Sequence, residues 1–220
     1  MFVPYVRDLR ALRAELDGFG QLLRPGTPLG EAEHILPYLR KSRHLAAAFG
    51  FANRALGAPD LLAVERPLLG SFRCDVAVGN LAARQFTLVE LEDARENSIF
   101  QVVRGREYPR WSGRFERGFS QRVDWAWRID HERQPSATLE AAFGTVDPRI
   151  HYLLVIGRDH WIAAAGRARL DWRHLHNGIS GQRTTVWTYD DLFSFIDDRL
   201  TAAEQDATDL AVTRHSLLRR

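Results

Sequence analysis

The chain has one cysteine, one lysine and one methionine in 220 residues. A lone cysteine, Cys74, excludes an internal disulfide framework and suits a reducing compartment, so a cytoplasmic protein is expected. No apolar run approaches the length of a membrane span; the best stretch, Tyr152 to Ile156, is strand-sized. Met1 to Arg10 mixes apolar and charged residues and lacks the apolar core of a signal peptide. There is no internal repeat and no low-complexity tract. A Ser-His-Asp order, a phosphate-cradling glycine loop and a Cys-His pair are also missing. With Lys41 the sole lysine, nearly all strong base is arginine. Arginine grips phosphate bidentately and keeps its charge in any environment, which is compatible with a nucleic-acid partner. A GC-rich coding sequence produces the same bias, and the net charge of +2 excludes little.

What is present describes a globular domain, with 45% hydrophobic and 26% charged residues. The length suits one well-buried domain with a small appendage. Residues 1–24 read as a helix with Leu9, Leu12, Leu16 and Phe19 on one stripe. Arg24-Pro25-Gly26-Thr27-Pro28 breaks it, which divides the chain into an N-terminal helical extension, 1–26, and a main domain, 27–220. A second helix should start at Thr27 as N-cap with Pro28 at the first helical position. It carries Glu31 and Glu33 early, is interrupted at Pro37, and runs on from Leu39 to Phe49. Asn53 to Asp60 is a loop. Phe72 to Val78 then alternates as a strand, Gly79-Asn80 turns, and Gln85 to Leu91 is a second strand. Residues 94–117 read as irregular, followed by a helix from Phe119 to Ile129 and a loop from Pro135 with one helical turn near Leu139 to Phe143. His151 to Gly157 is a buried strand, Asp171 to Gly178 a surface loop, Thr184 to Thr188 a strand and Asp190 to Ala203 an amphipathic helix. The expected class is α/β with a mixed sheet.

The hairpin carries the chemistry. A turn centred between Ala82 and Ala83 sets Asp75 directly opposite Glu90, where Cβ atoms lie about 4.5–5.5 Å apart. Glu92, two residues on, shares the face of Glu90. Three carboxylates on one patch repel one another, and a hard divalent cation such as Mg²⁺ resolves the conflict. The competing reading is an exposed hairpin face with Arg73, Arg84 or Arg95 pairing the acids. Arg104, Arg106, Arg110, Arg114 and Arg117 form the densest basic patch, and Trp111 is the one tryptophan interleaved with them, as base-stacking surfaces require. The other five tryptophans follow packing patterns. His174-Leu-His176 has no further ligand at zinc spacing and reads as solvated. Cys74 alternates away from Asp75 into the core, and Tyr189-Asp190-Asp191 reads as a helix cap and first turn.

Asp75 followed by Glu90-Leu91-Glu92 resembles the PD-(D/E)xK nuclease pattern, in which an Asp and an acid-x-Lys triplet share a strand hairpin. Gln121-Arg-Val-Asp-Trp125 resembles the glutamine-bearing helix that follows. The order of fragments is most similar to the Shedu family of bacterial anti-phage nucleases. These fragments are an acidic helix, Arg73 to Asp75, the Val-Glu-Leu strand, Ile156-Gly157-Arg158 and Thr188 to Leu192, together covering about residues 28–200. The resemblance implies a restriction-endonuclease-like mixed sheet flanked by helices. It also implies a DNA endonuclease dependent on Mg²⁺ or Mn²⁺, with DNA as partner and self-association compatible with it. Asp75, Glu90 and the helix acid, Glu33 rather than Glu31, would hold the metal. Glu92 would ligate or act as base, and Gln121 would orient water or phosphate. Arg106, Arg110, Trp111 and Arg114 would contact nucleic acid. One position departs: Glu92 stands where the pattern has lysine, so a nuclease-fold module that binds nucleic acid or a partner protein without cutting is the second reading. An acid/base hydrolase with paired carboxylates in an aromatic-lined cleft is the third.

Overall fold

The computed structural model describes residues 2–217, except 25, 71, 133–135, 177, 180 and 181. In chain order its elements are β1 (Val3–Pro4), α1 (Leu9–Leu22), a π-helical turn (Glu31–Ile35), α2 (Leu36–Leu39), α3 (Arg43–Ala48), β2 (Leu61–Leu68), β3 (Phe72–Asn80) and β4 (Gln85–Leu91). There follow β5 (Phe100–Gln101), β6 (Arg110–Trp111), α4 (Gly113–His131), α5 (Ala137–Phe143) and β7 (Arg149–Val155). The chain continues through α6 (Ala164–His176), β8 (Gly178–Ile179), β9 (Gln182–Arg183), β10 (Thr185–Trp187) and α7 (Tyr189–Leu217). Six strands form one mixed sheet in the order β1-β2-β3-β4-β7-β10. The first four pair antiparallel, and β7 and β10 add in parallel. Parallel neighbours need crossovers, and α4 with α5, then α6, supply them.

Helices cover both faces of the sheet. Val76, Val78, Val89, Leu91, Leu153 and Val155 pack against α1, α2, α3 and the start of α7. On the other face Ala77, Phe86, Leu88 and Tyr152 pack against α4 and α5, while Leu154, Ile156 and Val186 meet Phe115 of α4 and Leu170 of α6. With both faces buried, β4 and β7 read as nearly continuous apolar runs. The α1 stripe of Leu12, Leu16 and Phe19 is fully buried in the first of these clusters, each side chain contributing about 1.5–3 kcal/mol. No helix among the described residues is long and apolar enough to cross a membrane.

Several expectations are corrected. The N-terminal helix begins at Leu9, capped by Asp8 Oδ1 accepting from the Ala11 N–H, because Val3 and Pro4 pair with β2 instead. Strand β2 itself gave little alternation, since Glu65 with its positive φ of 51° and Pro67 interrupt the pattern. Thr27 and Pro28 do not open a helix; Leu29 bridges Ala94, and the first helical turn is the wide one from Glu31. That widening sits just before Pro37, whose ring would clash with a carbonyl of a regular preceding turn, so the chain stays helical through Leu39. α4 begins at Gly113 rather than Phe119 because Ser112 caps it, Oγ accepting from the Phe115 N–H at 2.9 Å. Asp171 to His176 is helix, tied by the Arg167–Asp171 pair one turn apart and by buried Leu170. The loop expected from Pro135 starts outside the described residues.

Candidate active site

Val76 lies opposite Val89 at the last rung of the β3–β4 ladder, so continuing that register sets Asp75 opposite Glu90. Both strands run on past this rung, but the pleat breaks. Cys74 packs in the same core as Ala77, whereas Val76 packs on the other face. Across β2, Glu65 adopts its left-handed φ. The break frees one edge of β4, and Asp75 Oδ2 takes the Leu91 N–H at 2.7 Å in place of a ladder carbonyl. Glu90 then points toward α4, where Gln121 Nε2 donates to its Oε2 at 2.9 Å and to the Arg73 carbonyl at 3.2 Å. Gln121 thereby clamps the two strands where their own pairing ends.

Glu92 follows β4, its N–H bonded to the Val155 carbonyl, and is buried. Tyr189 donates its hydroxyl to the Glu92 carbonyl at 2.8 Å. Gly118 makes room for the side chain: a Cβ there would lie 2.9 Å from Leu154 and 3.2 Å from Glu92 Cγ. Asp93, unnoticed in the sequence, is also buried. It accepts from the Glu31 N–H at 2.9 Å and pairs with Arg114 at 3.0 Å and Arg95 at 3.3 Å. The early-helix acid that joins this group is Glu31, not Glu33. Glu33 is exposed and paired with Arg95 at 2.6 Å, whereas Glu31 is half-buried and acts electrostatically on Asp75, Glu90 and Glu92.

The charges here are costly. Burial raises the Asp75 and Glu90 pKa values; their acidic neighbours, including each other at Glu90, push the same way, and the Leu91 N–H only partly offsets this at Asp75. Burial lifts Glu92 to about 7, with Arg114 and Arg117 opposing the rise. Glu31 is raised by burial and by Asp93. The arginines that could have neutralised the hairpin are committed elsewhere: Arg73 to Glu65, Arg84 to Asp147, and Arg95 to Glu33 and Asp93. Among the described residues neither Asp75 nor Glu90 has a basic group at ion-pair distance. Glu92 has one, Arg114 Nη1 at 3.5 Å.

Sequence reasoning missed Arg122, one turn from Gly118. It is fully buried, donates to the Thr185 carbonyl at 3.0 Å and leaves Nη2 without a partner. Burial lowers its pKa to about 9, and its charge favours ionised Glu90. In sequence it looks like an ordinary surface arginine; only its helical spacing of four from Gly118 and three from Trp125 could have hinted at an inward face.

Trp111 is not a free stacking platform. Its ring lies 4.6 Å from Phe100 and 4.5 Å from Phe115, and the Arg169 and Arg173 guanidinium groups cover it at 5.1 and 4.7 Å. Arg106 and Arg110 are exposed, Arg110 holding Gln101, and Arg114 sits in the first turn of α4 rather than in a loop. A cleft of about 740 Å³ opens beside the acids, lined by Arg95, Arg114 and Arg117 among others. Three arginines, one acid and a single aromatic ring, Trp161, line it, unlike a sugar hydrolase's trough of several aromatics.

In kind, the donors suit a hard cation: carboxylates of Asp75, Glu90, Glu92 and Glu31, all favouring protonation unless a positive charge arrives. Among the described residues no three such side chains already converge as a ligand group. Asp75 and Glu90 are each turned to a protein donor instead.

A mixed six-stranded sheet between helices, with acids at the parted ends of two strands, is an α/β architecture consistent with a restriction-endonuclease-like fold. Residues 30–193 match the family described as Shedu protein SduA, C-terminal, and the chain belongs to that family. No curated protein matches it. Two of its spaced fragments meet in space. Arg158 is buried and forks onto Asp190 at 2.9 Å, while the Tyr189 N–H bonds the Gly157 carbonyl, with Gly157 at φ 70°. Thr188 and Asp191 exchange hydrogen bonds at 3.0 Å as a capping box, which makes Thr188 the cap of α7. The same helix start presents Tyr189 to Glu92, so these fragments brace the acid cluster from behind.

Proposed function

We propose that this chain is a metal-dependent DNA endonuclease of a Shedu anti-phage defence system, belonging to the PD-(D/E)xK superfamily. The observation that carries the reading is the placement of half-buried Asp75 and buried Glu90 at the parted ends of β3 and β4, one step beyond the last rung and, among the described residues, without a basic partner at ion-pair distance. Asp75 and Glu90 each accept a protein hydrogen bond, but a neutral amide would serve as an acceptor without the cost of crowding two negative charges, which a cation would offset. Asp75 and Glu90 would hold Mg²⁺ or Mn²⁺, and Glu31, which already acts on both electrostatically, would add to the negative field that draws the ion. The ion would supply Lewis acidity toward a phosphate oxygen and a more acidic water. Glu92, whose pKa of about 7 suits proton transfer near neutrality, accepts a proton from the attacking water. Gln121 holds Glu90 in place, and Arg117 faces the phosphate that approaches through the cleft.

The test is plasmid nicking by purified protein with Mg²⁺ or Mn²⁺ against chelator, and by Asp75→Asn and Glu90→Gln. Cleavage should need the metal and vanish in both variants. Metal-independent nicking, or nicking that survives Asp75→Asn, would refute the assignment. A second reading is favoured by the lack of three converging ligands among the described residues: a nuclease-fold module that binds DNA without cutting. DNA binding with no cleavage under any metal would select it.

A further inference from the structure

We propose that the basic cleft beside the acid cluster is a nucleotide subsite. It would seat one unpaired nucleotide of a nucleic-acid strand, with the base on Trp161 and the phosphate among Arg95, Arg114 and Arg117. This deepens the DNA-directed reading and rests on it for the identity of the strand.

The cleft is open to solvent on one side, and its volume, about 740 Å³, lies in the range of small-ligand sites. Its lining divides by chemistry. Arg114 and Arg117 project from the first turns of α4, a 19-residue helix whose positive end, at Gly113, also lines the cleft. Arg114 is anchored by Glu92 and Asp93 and so joins the cleft to the acids. Arg117 forms no hydrogen bond or ion pair with another described residue, although Glu31 and Glu92 lie within its field. A free guanidinium in a basic pocket suits a phosphate. Glu96 is the one acid of the lining.

Trp161 supplies the other half. It closes a short turn, Asp159–Trp161, is half-buried, lines the cleft and has the His160 ring 4.2 Å away in a tilted contact. Asn97 and Gln101 add amide donors and acceptors at the wall. A base inside a duplex has both faces covered by its neighbours, so an aromatic platform in a pocket is reached only by a base that is unpaired or turned out. The tryptophan that the sequence pattern picked out, Trp111, is packed away, whereas Trp161, placed in the core by its pattern, is the one that meets the basic cleft.

The experiment is a fluorescence titration in chelator, so that nothing is cut. It uses a labelled short oligothymidine, an abasic strand of equal length, and thymidine 5′-monophosphate. Trp161→Ala should weaken oligothymidine binding about tenfold, Trp161→Phe should stay within about threefold of the parent, and the abasic strand should bind parent and Trp161→Ala alike. The parent itself should prefer oligothymidine over the abasic strand, a comparison that needs no folded variant. Equal binding of the two strands by the parent, no strand binding, or a monophosphate bound as tightly as the strand would overturn the proposal. A parent that shows the stacking preference yet never nicks plasmid would sink the nuclease reading and leave the subsite standing.

Discussion

Asp75 Oδ2 accepts the Leu91 N–H at 2.7 Å, so a side chain closes the hydrogen bond that the β3–β4 ladder leaves open. The carboxylate is both a strand-end cap and a half-buried charge, and two variants separate these roles. Asp75→Asn keeps an acceptor oxygen and removes the charge, so its stability should equal or exceed that of the metal-free parent. Asp75→Ala leaves the N–H unpaired and should fall about 1–3 kcal/mol below Asn in denaturant titrations. Equal stabilities for Asn and Ala would mean that the Leu91 bond contributes nothing.

The raised pKa of Glu92 sets a pH dependence. Its folded value, about 7, exceeds its ordinary 4.5, so between these pH values the folded state binds more protons than the unfolded one. Its contribution is complete below 4.5 and is lost as pH rises through 7, with a limiting slope of about 1.4 kcal/mol per pH unit. Glu92→Gln should therefore gain stability relative to the parent on going from acid to neutral pH in metal-free buffer. Parallel pH–stability curves for the two proteins would contradict this. Asp75 and Glu90 shift in the same direction, so the variant curve should still decline.

Glu92→Lys asks whether the acid is functional or a lost lysine. The new ammonium would face Arg114 and Arg117, and its extra methylene would crowd Gly118. Cleavage should disappear in the nicking assay. A lysine variant that cuts faster than the parent would overturn the role given to Glu92.

Arg106 and Arg110 are exposed and outside the acid cluster, so replacing both with Ala should leave the fold intact. DNA affinity should weaken, and the slope of log affinity against log salt should flatten by about one unit per lost phosphate contact. Unchanged slopes would take this loop off the DNA surface. Arg114 is left in place because it also holds Glu92 and Asp93.

Trp111→Ala should read out in stability. Losing a ring stacked on Phe115 and covered by two guanidinium groups should cost about 2–4 kcal/mol, measured by thermal or chemical unfolding. A variant as stable as the parent but defective in DNA binding would restore the stacking role that the structure removes.

The β3–β4 register was legible in the sequence because the turn position fixes it: a hairpin centred between Ala82 and Ala83 pairs Val76 with Val89, the rung next to Asp75 and Glu90 at which the ladder ends. Gln121 was legible as a helical neighbour of that hairpin, although its clamp on the Arg73 carbonyl was not. Other features turned on where an element begins or how it is rotated. Moving the start of α4 to Gly113 took Arg114 and Arg117 from a loop to a helix facing the acids. The wide turn at Glu31 turned that acid inward and left Glu33 to Arg95.

The sequence alone therefore determined the local chemistry: which residues alternate, which acids share a strand end, and that no disulfide can form within the chain. Only the tertiary structure decided the company each charge keeps. Arg122 is buried, Arg117 is open, Trp111 is packed and Trp161 borders the cleft because α4, α6 and the turn after β7 meet across the sheet. Periodicity reports which face of one element is apolar. Burial, and with it the cost of a charge, depends on the elements that pack against that face.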